Sequence, residues 1–184
     1  MSELFSIQLQ NRQQSRDGVW LDLPTTTEQV QAALRQIGIS SDNPQGLFIS
    51  GYFAEEEKRF AIPYNMVLAS NVDELNFLAS RLETLSTGER AELNAALQAP
   101  QSELFSIGRI TDFPENVDYY VHLPDVTGTG QLGDYYLNRS GMVDMPEEWK
   151  VGIFLPRFGL HIANTEHGVF TDYGYLVKSG DEWQ

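Results

Sequence analysis

The fold is decided by residues 71–97, NVDELNFLASRLETLSTGERAELNAAL, because this stretch predicts two helices joined by a short turn. Apolar side chains recur at spacings of three and four residues, which places them on one face of the first helix, suited to burial. Asn71 with Glu74 has the spacing of a capping box, and Ser86 with Glu89 repeats it, so two helix starts are marked. The apolar face consists of Leu75, Leu78, Ala79, Leu82 and Leu85.

The second helix is expected to begin near Thr87 and to stop at Pro100, which cannot continue a helix. Phe77 lies opposite the leucine face of the first helix, so we expect it to contact a neighbouring subdomain rather than water. The hairpin would then act as a spacer between two β-containing units. The sequence thus predicts an α+β chain of three subdomains: an α+β subdomain (1–62), the helical hairpin (63–101) and a second α+β subdomain (102–184).

The first subdomain shows the alternation of apolar and polar residues that is typical of half-buried strands. Residues 4–9 and 19–23 alternate in this way and predict an antiparallel pair. Thr27 is expected to cap a helix that ends at Gly38, where a left-handed residue is favoured. Residues 47–53 predict a third strand.

The C-terminal subdomain repeats a short sequence that is also found at the N-terminus. The pentapeptide ELFSI occurs at residues 3–7 and again at 103–107. This repeat predicts a second unit that begins with strands, placed at 105–110 and 117–123. A further strand with an internal turn is predicted at 168–177.

Composition narrows the possible surroundings of the protein. The sequence has 184 residues and contains no run of eighteen apolar residues that could cross a bilayer. The N-terminus lacks the basic start and apolar core of a secretory signal, and the chain contains no cysteine. We therefore expect a soluble, cytoplasmic protein without a membrane partner, disulfides or thiol chemistry.

Charge is the unusual property of the sequence. Asp and Glu number 26 against 12 Lys and Arg, which gives a net charge of −14, and residues 101–184 hold 13 of the acids against 5 basic residues. Such a field repels phosphates and attracts basic surfaces. We therefore expect no nucleic acid as a direct ligand. A basic partner protein is one explanation of the charge, and an acidic surface that only keeps the protein in solution is the alternative.

No catalytic site can be recognised in the sequence. The glycine-rich stretch VTGTGQLG, residues 126–133, lacks the Gly-Lys-Ser/Thr of a phosphate-binding loop, so we interpret it as a loop leading into a helix. A metal site at His161, Glu166 and His167 is an alternative to histidines that are merely exposed or packed, and His122 alternates on a predicted strand. We predict no enzyme, no catalytic residue, no metal and no cofactor.

Several short motifs, taken in order, resemble the ArdA antirestriction proteins, a family of small acidic DNA mimics carried by plasmids, transposons and phages. The most specific motifs are DELN-x-LA at 73–79 and GVFTDYGY at 168–175. Shorter matches occur earlier in the chain: GVWLDLP at 18–24, Ile37-Gly38, and Phe48-Ile49 with Tyr52. The resemblance implies an elongated chain of three subdomains that dimerises through the C-terminal one. It also implies that the protein occupies the DNA-binding groove of Type I restriction-modification enzymes and catalyses no reaction.

A DNA mimic must place carboxylates where a duplex places phosphates. Duplex DNA carries one charge per about 1.7 Å, so a net charge of −14 replaces only about 24 Å, or roughly 7 base pairs. A homodimer would double that length. The candidate partner-binding carboxylates are Asp73, Glu74, Glu83, Glu89, Glu92, Asp112, Glu115, Asp118, Asp125, Asp134, Asp144, Glu147 and Glu148.

Residues 150–159, KVGIFLPRFG, depart from the family pattern of tyrosines and carboxylates because they are apolar with two basic residues. We expect this segment to weaken local mimicry, to favour another target or to form the dimer interface. Two other functions remain open: an acidic adaptor for another basic protein, such as a transcription regulator, and a hydrolase that uses carboxylates or histidines.

Overall fold

The computed structural model describes residues 3–14, 17–40, 45–100 and 102–184, and it confirms the predicted α+β class. In chain order the elements are β1 (Phe5–Asn11), β2 (Val19–Leu23), α1 (Thr27–Gln36), β3 (Leu47–Phe53), α2 (Tyr64–Leu68), α3 (Val72–Leu82), α4 (Thr87–Gln98), α5 (Ile107–Thr111), β4 (Tyr120–Leu123), α6 (Thr129–Asp134), α7 (Glu147–Lys150), α8 (Leu155–Glu166), β5 (Val169–Thr171) and β6 (Gly174–Lys178). Within the described ranges, no helix has the length and apolar character needed to cross a membrane.

The chain folds as two compact units. The first comprises Met1–Ser86 and Leu104–Pro114, and the second comprises Thr87–Glu103 and Glu115–Gln184. The predicted helices at 71–97 are both present, α3 in the first unit and α4 in the second. The division into three subdomains at residues 62 and 101, and the role of the hairpin as a spacer, stay predictions.

The first sheet has the order β2-β1-β3, and both strand pairs are antiparallel. The predicted pair of β1 with β2 and the predicted third strand are thus confirmed. Phe5, Ile7 and Leu9 are buried on one face of β1, because successive side chains of a strand point to opposite faces. The cap of α1 lies one residue earlier than expected: the Thr26 hydroxyl accepts the Gln29 N–H.

Helix α3 begins as predicted, since the Asn71 side chain accepts a hydrogen bond from the Glu74 N–H at 2.9 Å. All five residues of the predicted apolar face are buried. Phe77 is 60% exposed, so the prediction that it contacts a neighbouring subdomain is wrong. Asn76, on the polar face, instead bonds the backbone of Thr25 in both directions, at 2.7 and 3.0 Å.

The two copies of ELFSI adopt different structures, so the prediction of a strand at 105–110 is wrong. In the first copy Ser6 lies within β1 and donates a hydrogen bond to Asp22 across the sheet. In the second copy Ser106 accepts a hydrogen bond from the Arg109 N–H and starts helix α5. A serine that can satisfy a free helix N–H favours a helix start, and here that local contact decides the structure.

The second unit contains an antiparallel sheet of order β4-β6-β5, and β5 and β6 form the predicted hairpin. Its core includes Val126, Leu132, Ala163 and Tyr175. Helices α6 and α8 pack closely, and a Cβ placed on Gly159 would lie only 1.8 Å from the Thr129 carbonyl oxygen. Helix α8 was not predicted, and it begins at Leu155, in the middle of the apolar segment 150–159.

Candidate functional site

The thirteen carboxylates proposed from the sequence all reach the surface, and none is buried. Four belong to the first unit and nine to the second. With all acidic and basic residues counted, the second unit holds 14 against 5, a net charge of −9, while the first holds 12 against 7, a net charge of −5. The exposed members are Asp73, Asp112, Glu115, Asp118, Asp125, Asp144, Glu147 and Glu148; the half-buried ones are Glu74, Glu83, Glu89, Glu92 and Asp134.

Glu92 differs from the others because its carboxyl group is largely removed from water. Its Oε1 atom is buried and accepts no hydrogen bond from the described part of the chain. Burial raises the pKa of Glu92 to about 7, with smaller contributions from the negative charges of Glu89 and Asp118. Near neutral pH Glu92 therefore carries only part of a charge and is the weakest phosphate substitute of the set.

The charges of Asp134 and Glu147 are offset by basic neighbours in the same unit. Asp134 lies 2.5 Å from the Arg139 guanidinium, and Glu147 lies 2.7 Å from the Lys150 ammonium. Hydrogen bonds from Arg139 and then Asn138 lower the pKa of Asp134, so this carboxylate stays ionised. An exposed pair of this kind reduces the local field while leaving oxygen atoms accessible.

The alternative metal site is not formed. Glu166, which ends α8, accepts hydrogen bonds from the hydroxyls of Tyr136 at 2.5 Å and Tyr175 at 3.1 Å. The exposed His167 follows in a left-handed conformation that terminates the helix. Across the ranges that the structure describes, no group of three or more His, Asp or Glu side chains is arranged to hold a metal ion.

An exposed apolar segment lies between the π-helical turn Tyr135–Arg139 and the middle of α8. Val151, between α7 and α8, is 88% exposed, and large neighbours along the sequence are also uncovered. Several large apolar side chains exposed within one stretch of the chain suggest a contact with another molecule. We call this stretch, residues 142–160, the exposed apolar segment; its exposed large apolar residues are Met142, Trp149, Val151, Phe154 and Leu160.

The sequence was compared with known proteins and protein families. A search of curated proteins gives no match to this sequence. A family model described as antirestriction protein (ArdA) matches residues 14–177, which is most of the chain and includes every strand of both sheets except β1 and the last residue of β6. The chain therefore belongs to the ArdA family of antirestriction proteins.

Proposed function

We propose that this ArdA protein acts in the cytoplasm as a DNA mimic that occupies the DNA-binding groove of a Type I restriction-modification enzyme. The groove of such an enzyme must carry positive charge in order to hold a duplex. A protein that fills the groove with carboxylates excludes DNA, so the enzyme neither cuts nor methylates it. This role needs no catalytic residue.

The observation that carries the proposal is the unequal distribution of surface carboxylates. Nine of the thirteen candidates lie on the second unit, which has a net charge of −9. An acidic surface of this kind steers a basic partner into contact and speeds association, especially at low salt. Glu92 contributes little to this field because its pKa is raised.

Charge also argues for a homodimer as the active form. One chain matches the charge of about 24 Å of duplex, and two chains match about 48 Å, or roughly 14 base pairs. The exposed apolar segment offers a surface on which two copies can associate through the second unit. Burial of its large side chains would supply the hydrophobic contribution that a stable dimer needs.

Phage plating tests the antirestriction role directly. Cells that carry a Type I system and express this protein are challenged with unmodified phage, and we expect restriction to be relieved. Methylation of the recovered phage DNA separates inhibition of cleavage alone from exclusion of DNA from the shared groove. Unchanged restriction at confirmed expression would reject the proposal.

Two variants with the same charge change test whether placement of the carboxylates matters. Glu115→Gln with Asp125→Asn removes two exposed candidate carboxylates of the second unit that lie outside the exposed apolar segment. Asp181→Asn with Glu182→Gln removes two exposed acids outside the candidate set from the same unit. We expect the first pair to restore more restriction than the second. If the two pairs have the same effect, total charge rather than position determines inhibition, and an acidic adaptor function becomes the better explanation.

A further inference from the structure

The outer face of the first sheet carries a tryptophan that the carboxylate set does not include. Trp20 on β2 lies opposite Gln8 on β1, and Gln8 lies opposite Gly51 on β3. A Cβ added to Gly51 would meet the Trp20 Cη2 atom at 3.0 Å and the Gln8 Cβ at 3.1 Å. The indole therefore lies across β1, with its edge over the space left by the missing side chain of Gly51.

This arrangement leaves one side of the indole open. Trp20 is 50% exposed although it contacts the sheet beneath it. The contact with Gln8 and Gly51 restricts the ring before any partner binds, so little side-chain entropy remains to be lost. Large aromatic side chains held in this way are the usual hot spots of protein interfaces.

A carboxylate accompanies the indole on the same face. Asp22 follows Trp20 by two residues on β2, which places both side chains on one side of the sheet about 7 Å apart along the strand. Its Oδ1 atom accepts a hydrogen bond from the Ser6 hydroxyl at 2.6 Å. Asp22 is exposed and held in position by that bond.

A π face beside an oriented carboxylate matches the chemistry of a guanidinium group. The face of an indole attracts a cation, and a carboxylate accepts two parallel N–H bonds from the planar fork of arginine. A lysine ammonium is a point charge that cannot stack, so it uses the pair less well. The net charge of the chain, −14, favours a basic partner over a neutral or acidic one.

We propose that Trp20 and Asp22 form a receptor for one arginine side chain on the basic surface of the partner protein. The identity of that partner rests on the proposed function. The receptor adds a short-range contact to a long-range field: carboxylates elsewhere govern the association rate, and the Trp20–Asp22 pair governs the dissociation rate.

The first test is a kinetic double-mutant cycle with a purified Type I methyltransferase. The variants are Trp20→Ala, Asp22→Asn and the double variant, with Glu56→Gln as the control because it removes the same charge from an exposed position in the same unit. Circular dichroism confirms that each variant is folded. A stacked arginine predicts a dissociation rate that rises roughly 3- to 30-fold for Trp20→Ala.

The cycle has a second expected result, which concerns coupling. Because both side chains would hold one guanidinium, the double variant should lose about as much affinity as the weaker-binding single variant rather than the product of the two losses. Glu56→Gln should leave the dissociation rate unchanged. Independent losses in the double variant, or a Trp20→Ala dissociation rate equal to that of the control, would overturn the proposal.

The second test needs no restriction enzyme and so separates the two proposals. Nuclear magnetic resonance follows the indole N–H signal of Trp20 while a hexa-arginine or hexa-lysine peptide is added at millimolar concentration. We expect hexa-arginine to shift this signal more than hexa-lysine, and Asp22→Asn to reduce the shift more than Glu56→Gln does. Gly51→Val, which displaces the indole, should abolish the preference for arginine.

Two combinations of the peptide and methyltransferase results distinguish the receptor from the proposed function. A peptide preference without methyltransferase binding would support the receptor and reject the proposed target. Methyltransferase binding with equal peptide shifts that ignore Asp22→Asn would support the mimic and overturn the receptor.

Discussion

Replacing Gly159 by alanine should destabilise the second unit, because α6 and α8 meet there backbone to backbone. The added Cβ would lie 1.8 Å from the Thr129 carbonyl oxygen and 2.6 Å from the Gly133 nitrogen. Carbon atoms normally stay about 3.5 Å or more from such atoms, so the helices must separate by well over 1 Å at their crossing. Neither neighbour is a flexible side chain that could rotate away.

The expected loss in the free energy of unfolding depends on the core residues that pack at the crossing of α6 and α8. Separation of the two helices loosens the packing of Leu132 and Ala163 in the core of the second unit. Overpacking usually costs about 1–3 kcal/mol, and a clash with rigid backbone belongs at the upper end, so we expect about 3 kcal/mol. For a chain of this length that loss corresponds to a decrease of roughly 6–12 °C in the melting temperature.

Denaturant unfolding monitored by tryptophan fluorescence measures this loss. A Trp20→Phe background leaves Trp149 and Trp183, which both report on the second unit. Gly88→Ala in α4 is the matched control, because no atom lies within 4 Å of its added Cβ and alanine favours a helix. If Gly159→Ala is as stable as Gly88→Ala, the close crossing of α6 and α8 is wrong.

Three further predictions concern the second unit. The pKa of Glu92 is about 7 in the folded protein against 4.5 in the unfolded chain, so its ionisation lowers stability as pH rises from 4.5 through 7. Denaturant unfolding should therefore find Glu92→Gln more stable than the wild type at pH 8, by on the order of 1 kcal/mol after allowance for solvent, and similar at pH 4.5; equal differences at both pH values would contradict the shift. Glu166→Ala removes the acceptor of two tyrosine hydroxyls and should cost about 1–3 kcal/mol in the same assay, whereas Glu182→Ala should cost little. If the proposed homodimer forms through the exposed apolar segment, Val151→Asp and Phe154→Asp should each convert it to a monomer in light scattering, and a dimer that persists in both variants would place the interface elsewhere.

Local chemistry explains which parts of the fold could be predicted. Alternation along β1 and the leucine face of α3 depend on residues close in sequence, and both are confirmed. Asn71 also caps its helix through a contact three residues away. Patterns of this kind are visible without knowledge of the tertiary structure.

The strand wrongly predicted at 105–110 and the unpredicted helix α8 have different physical causes. At 103–107 the sequence is identical to that of an earlier strand, but Ser106 also has the chemistry of a helix cap, and the cap determines the structure. Helix α8 was not predicted. Gly159 in its interior is usually unfavourable for a helix, and the reason for that glycine is the approach of α6 from elsewhere in the chain. The same approach explains Gly133 in the glycine-rich stretch, which was interpreted only as a lead-in to a helix.

Exposure of the candidate carboxylates could be predicted from their polar character, but the state of Glu92 could not. Its raised pKa depends on burial together with Asp118, which lies 26 residues further along the chain. In the sequence, Trp20 and Asp22 are recognisable only as members of a predicted strand and of a family motif. Their common face becomes apparent once the register of β1, β2 and β3 is known.

The most direct test of DNA mimicry is competition for a single groove. A labelled duplex that contains the recognition sequence is bound to a Type I methyltransferase, and increasing amounts of this ArdA protein are added. We predict complete displacement of the duplex, with an affinity for the methyltransferase that falls steeply as salt is raised. A ternary complex in which protein and duplex remain bound together would contradict the account.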